Sequence, residues 1–247
     1  MRLRSAPVKS IRGRLALRVS AKMSNLKLVF DLDDTLYPER MFAISGFRAA
    51  AKWAEHELGV SGLFEPMLRL LDDGMLRQLF HIVLAEHAPH HRPAQLEAFI
   101  DAYRTHEPEI ELFDDARTAL DHFGALGPLG LITDGLHDVQ STKVRALGIE
   151  PRLTHIIYTY ALGGRAYAKP NPKAFELMKE AIGEPGDRFV YVGDNPAKDF
   201  VAPNALGWIT VQIVRPGGIH DATRIAEGGK PQHEIHSLNE LRRLLAS

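Results

Sequence analysis

The sequence predicts a doubly wound α/β fold carrying an all-helical insertion, and three observations carry that prediction. From Met23 onward, short apolar runs alternate with stretches of helical periodicity, the order expected of repeated βα units. The helical stretches between runs have their own punctuation, with proline in a first turn and glycine just past an end. The first two apolar runs are separated by about 100 residues, where a parallel crossover needs only about a dozen. A folded insertion fills the difference.

The strands expected are Leu28–Asp31, Leu129–Thr133, His155–Tyr158, Phe189–Val192 and Ile209–Val214. The first is apolar through Leu28, Val29 and Phe30, the composition of a strand buried on both faces of a parallel sheet. Helices are expected over Leu136–Leu147, closed by Gly148, over Pro172–Ile182, closed by Gly183, and over Pro196–Leu206, closed by Gly207. Together these make a mostly parallel, Rossmann-like sheet with helices on both faces.

Inside the gap, Ile44, Phe47, Ala51, Ala54 and Leu58 recur at helical spacing, as do Leu76, Leu79, Phe80 and Val83, and then Leu96, Phe99, Ile100 and Tyr103. The expected division is therefore a helical cap over 40–107, bracketed by Pro38 and Pro108, and an α/β core of residues 23–39 and 108–247. A core helix near Phe113–Phe123 leads into the second strand. The polar segment Arg215–Glu234 reads as a loop before a last helix at Leu238–Leu245.

At 247 residues and 45% hydrophobic, the chain can bury a sizeable core. It contains no cysteine, which removes disulfides and thiolate chemistry and fits a reducing, cytoplasmic setting. No apolar run reaches the ~18 residues of a membrane helix. Residues 1–22 hold seven basic and no acidic residues, leaving 23 basic against 31 acidic in the other 225. The body of the chain is thus acidic, which argues against nucleic-acid binding. The basic leader reads as a tail, a transit segment, or sequence upstream of a start at Met23. Neither nucleic acid nor membrane is expected as a partner, and the assembly is taken as a monomer or homodimer.

Polar residues gather where the strands end. Asp31, Asp33 and Asp34 follow the first strand, Thr133, Asp134 and Gly135 the second, Lys169 precedes a helix, and Asp194 and Asp199 follow the fourth. Ligands of open α/β sheets sit beyond the carboxyl ends of the strands. In extended chain Asp31 and Asp33 share a face at roughly 6 to 7 Å, with Asp34 turned away. Two like charges so close require either a cation or a shared proton.

These residues, as DLDDT, LITDG, AKPNP and GDNPAKD, resemble the four motifs of the haloacid dehalogenase-like superfamily, in order and over most of the chain after the leader. The resemblance implies a phosphatase of small phosphomonoesters. Asp31 would form an aspartyl phosphate and Asp33 would serve as acid and then base. Thr133, Asp134, Gly135 and Lys169 would line the phosphate pocket. Mg2+ would lie between Asp31, Asp194 and the backbone carbonyl of Asp33, with Asp199 directly or through water. Dehalogenases of this superfamily lack an acid at the position of Asp33, whereas its phosphatases and phosphomutases have one. Asp134 departs from the asparagine common in relatives that carry a cap.

A phosphomutase and a non-catalytic phosphate-binding scaffold are the other readings. The expected partner is a small phosphorylated metabolite, a nucleoside monophosphate ahead of a sugar phosphate. Tyr37, Arg40, Arg104 and His106 lie near the hinges of the insertion, where they could reach a substrate. His87, His90, His91, His233 and His236 are expected on the surface, since no metal-binding spacing links them. There is no phosphate-binding Walker loop, GxSxG elbow or GxGxxG turn to support ATP, acyl or dinucleotide chemistry.

Overall fold

The computed structural model describes residues 25–76 and 78–246, so the basic leader and Met23 lie outside the described residues. Six strands form one parallel sheet: β1 Leu26–Phe30, β2 Leu129–Thr133, β3 His155–Tyr158, β4 Arg188–Gly193, β5 Ile209–Ile213 and β6 His233–Ile235. Their spatial order is β3-β2-β1-β4-β5-β6. The chain runs outward from β1 to β3 and then returns to β4 on the other side. The connection therefore reverses beside β1, and such switch points leave a crevice at the carboxyl ends of the strands.

Strand residues alternate between two apolar layers, as period-2 geometry requires. Leu26, Leu28, Phe30, Leu129, Leu131, Val190 and Val192 face one layer, completed by Ala116, Ala119, Leu120 and Phe123 of helix α5 (Asp114–Gly124) and by Leu241 and Leu245 of α9 (Leu241–Ala246). Val29, Ile132, Phe189 and Tyr191 face the other, against Phe175, Met178 and Ile182 of α7 (Lys173–Ile182). Gly130 permits that second contact, because a Cβ there would lie 2.6 Å from the Met178 sulfur.

Between β1 and α5 lie four helices, α1 Glu39–Leu58, α2 Phe64–Asp72, α3 Leu79–His87 and α4 Pro93–Arg104. They bury a third apolar cluster of their own, built on Phe47, Ala50, Ala54, Leu63, Met67, Val83 and Phe99. α1 starts after Pro38, whose extended backbone cannot continue a helix backward, and stops at Gly59, in the left-handed region at φ 67°. No helix among the described residues is long and apolar enough to cross a membrane.

Two elements differ from expectation. The helix expected over Pro196–Leu206 is a turn followed by the short α8 (Val201–Ala205). Pro203 has no N–H with which to bond the carbonyl of Asp199, so the helix cannot extend back through that residue. Asp199 thus precedes the helix instead of lying one turn inside it. The polar segment Arg215–Glu234 ends in β6, which pairs with β5 at the edge of the sheet. Only Ile235 of its three residues is buried, so an apolar run was never needed.

Candidate active site

The crevice at the carboxyl edge of β1 and β4 holds four buried ionisable groups. Asp31 follows β1, and its N–H continues the ladder by donating to the Val192 carbonyl at 2.8 Å. Asp194 follows β4, and Asp199 folds back from the next turn, its Oδ2 accepting the Asn195 N–H at 2.9 Å. Gly193 makes room for this, since a Cβ there would sit 2.6 Å from Asp199 Oδ2. The carboxylates of Asp31, Asp194 and Asp199 offer oxygens within 4.8 Å of one another. The Lys169 ammonium stands 2.6 Å from Asp31 Oδ1 and 2.8 Å from Asp199 Oδ1, and donates to the Tyr191 hydroxyl at 3.0 Å. Asp199 Oδ1 has no hydrogen bond beyond this ion pair.

Burial and the neighbouring acids fix the protonation of this group. Burial pushes Asp31 up to about 7, with Lys169 pulling down and Asp199 pushing up. Burial, together with Asp199 and Asp31, drives Asp194 well above the usual carboxylate range. Lys169 is held protonated, because Asp199 and Asp31 outweigh the cost of burying its charge. Ionising all three carboxylates against one ammonium would leave two negative charges uncompensated, which is why Asp31 and Asp194 hold their protons in the absence of a cation. Clustered hard oxygen donors with that deficit fit a hard divalent cation.

The family model of haloacid dehalogenase-like hydrolases matches residues 28–207, which contain all these groups. The chain belongs to this family. It is 30% identical over 225 residues to a glyceraldehyde 3-phosphate phosphatase of Methanocaldococcus jannaschii, covering 87% of this chain and 94% of that protein. Similarity to a ribulose-1,5-bisphosphate 5-phosphatase of Halopiger xanaduensis is 28% over 240 residues, covering 89% and 98%. Among solved structures, the HAD-hydrolase YfnB of Bacillus subtilis, determined with magnesium bound, has a TM-score of 0.62 at 18% identity, covering 89% of this chain and 97% of that one. The L-2-haloacid dehalogenase of Xanthobacter autotrophicus has a TM-score of 0.57 at 19% identity, with the same coverages. At such identities the structural likeness speaks for the fold alone.

Asp33, a second acid at the tip of β1, is not one of the three clustered carboxylates and has partners of its own. Its Oδ1 accepts from the Tyr37 hydroxyl and, at 2.7 Å, from Lys143 Nζ, while its Oδ2 accepts from Gln140 Nε2 at 2.8 Å. Burial would raise its pKa, but Lys143, Tyr37 and Gln140 together hold it below the usual carboxylate range. Gln140 also donates to the Thr133 hydroxyl at 2.6 Å and so ties the ends of β1 and β2 together. Gln140 and Lys143 lie one turn apart on α6 (His137–Ala146), and both are buried. Sequence reasoning missed them. Their one signal is a polar pair at i and i+3 beside the apolar Val144, a pattern that ordinary solvated helices also show.

Asp134 and Gly135 follow Thr133 into the turn before α6, where Gly135 takes φ 130°. Asp134 faces inward. Its Oδ1 accepts from the Thr159 hydroxyl at 2.8 Å and from the Lys169 N–H at 3.0 Å, and its Oδ2 pairs with Lys198 at 3.0 Å. Burial notwithstanding, Lys169 and Lys198 keep it below the usual range. Asp34, at φ 50°, lies outside the carboxylate group and accepts the N–H of Glu39 at 2.9 Å and of Ile219 at 2.8 Å.

The hinge residues divide. Tyr37 meets Asp33, whereas Arg40 pairs with Asp72 at 2.6 Å and Arg104 lies 3.9 Å from Asp101, both within the insertion. His106 is 2.7 Å from the Ser45 hydroxyl. His87, His90, His233 and His236 are exposed, and the ring of half-buried His91 bonds to the Ala88 carbonyl. Among the described residues the group of Asp31, Asp194 and Asp199 is the one set of side chains arranged to hold a metal.

Proposed function

We propose that this chain is a Mg2+-dependent phosphatase of small sugar phosphates, working through an aspartyl phosphate on Asp31. The observation that carries this reading is Asp33. The fold is shared with dehalogenases, and a second carboxylate at the tip of β1, hydrogen-bonded to its own partners, suits the relay of a proton to an alkoxide leaving group. Sugar phosphates are favoured over nucleotides because similar curated proteins are named for triose and pentose phosphates.

A divalent cation held by Asp31, Asp194 and Asp199 supplies the positive charge that keeps Asp31 ionised and offsets the charge of the phosphate. The Asp31 carboxylate attacks phosphorus as the bond to the ester oxygen breaks, and Asp33, ionised in the free protein, passes to that oxygen the proton brought by the monoanionic phosphoester. Asp33, now anionic, takes a proton from the water that attacks the aspartyl phosphate, and inorganic phosphate leaves with Asp31 restored. Lys169 neutralises Asp31 and a nontransferred oxygen. Thr133, Gly135 and the amides at the start of α6 hold the other oxygens. Asp134 positions the Lys169 loop and does not itself touch phosphate.

Residues 40–107 act as a cap over this site. Lys143 of the core lies 4.3 Å over the Phe42 ring of α1, which seats the first insertion helix against the strand tip. Closure would exclude water from the attacking carboxylate. The test is phosphate release with Mg2+ from a panel of sugar phosphates and nucleoside monophosphates. Release from sugar phosphates by the wild type, abolished in Asp31→Asn and by chelator, is expected. Equal release by wild type and Asp31→Asn would overturn the assignment.

A further inference from the structure

Beside the site is a cavity of about 760 Å³, large enough for a small phosphorylated sugar. Its lining includes Lys169, whose ammonium is buried behind the wall, 2.6 Å from Asp31. Most charges on its walls are already matched. Lys169 faces Asp31 and Asp199, and Lys198 pairs with Asp134. The Asp221 carboxylate accepts the N–H and hydroxyl of Thr223 at 2.9 and 2.6 Å and feels the charge of Arg224.

Arg165 and Arg224 remain. They come from segments about 60 residues apart, one just before Lys169 and one in the loop between β5 and β6, and both line this cavity. Among the described residues neither guanidinium has an ion pair within 4.0 Å or a hydrogen bond, and Arg224 has the Asp221 carboxylate in its field. Buried Asn195, on the same wall, spends its amide oxygen on the Ala197 N–H, and its NH2 has no internal partner among the described residues. Two exposed guanidinium groups, of which only Arg224 has a carboxylate near it, and a neutral donor in one concavity suit an anion, because their planar forks match a carboxylate or phosphate.

We propose that Arg165 and Arg224 receive a second anionic group of the substrate, so that the preferred substrates are phosphomonoesters that also carry a carboxylate or another phosphate. The proposal rests on the phosphatase reading for the bond that is cleaved, but the binding of the second group can be measured without turnover.

The experiment compares wild type with the double variant Arg165→Ala/Arg224→Ala on matched substrates. A phosphorylated sugar acid is set against the corresponding phosphorylated sugar, and a sugar bisphosphate against the monophosphate. The ratio of kcat/KM within each pair is expected to fall roughly tenfold in the variant, mostly through KM, as charge-assisted contacts to a bound anion are lost. The pair that responds tells carboxylate from phosphate. An unchanged ratio in both pairs overturns the proposal. Calorimetric titration of the phosphorylated sugar acid and of the bisphosphate into Asp31→Asn, with and without the arginine substitutions, provides the second readout. Affinity weakened roughly tenfold for either ligand supports the subsite, and equal affinities for both overturn it. If the wild type releases no phosphate from any ester, the phosphatase reading fails while the titration still decides the subsite.

Discussion

Replacing Lys143 with methionine keeps most of the side-chain volume and removes one charge from a buried pair. The Lys143 ammonium lies 2.7 Å from Asp33 Oδ1, with side-chain exposures of 5% and 18%. At an effective dielectric near 20 that contact is worth about 6 kcal/mol before desolvation. Breaking a buried pair from one side typically costs about 3–5 kcal/mol. Asp33 is partly exposed and keeps Tyr37 and Gln140, so we expect about 2–3 kcal/mol, or roughly 4–12 °C in a chain of this size. Without Lys143, the Asp33 carboxyl should rise from its lowered value. The acid limb of kcat should then move to higher pH, because the base that activates water must be anionic. Thermal unfolding and a pH–rate profile check both, and a cycle with Asp33→Asn isolates the coupling. A Lys143→Met protein with wild-type midpoint and profile, or fully additive effects in the cycle, would refute the reasoning.

Other expectations concern the metal, the loop beside the site and the C-terminal segment. Asp31 has a folded pKa raised from 3.8 to about 7, so the metal-free fold binds more protons than the unfolded chain, and this group costs stability as pH rises from about 4 to 7. Mg2+ should therefore raise the melting temperature more near pH 8 than near pH 5, and an equal gain at both would contradict the site. Asp34→Ala removes the acceptor of two N–H groups and puts alanine at φ 50°, costing roughly 2–3 kcal/mol and exposing the segment near Ile219 to proteolysis. Unaltered digestion would count against that clamp. Asp115 accepts from Arg215 at 2.8 and 3.0 Å, from the Ser237 hydroxyl at 2.9 Å and from the Leu238 N–H at 2.8 Å. Asp115→Ala should cost roughly 2–4 kcal/mol in urea unfolding, and a loss below 1 kcal/mol would contradict its role in anchoring the last helix.

The parts of the fold legible in the sequence are those that burial writes into composition. β1 and β2 are buried along their whole length, so their apolar runs stand out, and the acids and threonine beyond them mark the carboxyl edge. β6 could not be read because an edge strand of His233, Glu234 and Ile235 needs only one buried side chain. The turn at 196–200 looked helical because Pro196 and Gly207 imitate helix boundaries, while Pro203 supplies the interruption. Within the site, Asp31, Thr133, Asp194 and Asp199 stand out by lying at or just past strand ends, and Lys169 by preceding a helix. The partners of Asp33 do not, since Gln140 and Lys143 become unusual only once α6 is known to turn them inward. Asp134 was legible as a residue of the site but not in its direction, which depends on where Thr159 and Lys198 fall in space.

In the proposed reaction Asp31 is the group that takes the phosphoryl from substrate. Its most direct test is to react the protein with a phosphoester labelled on phosphorus, quench in acid during turnover, and map the label by peptide sequencing. Label on the peptide that contains Asp31, discharged by hydroxylamine and absent from Asp31→Asn, is the result expected of an aspartyl phosphate. Label on a different residue, or undiminished turnover by Asp31→Asn, would contradict it.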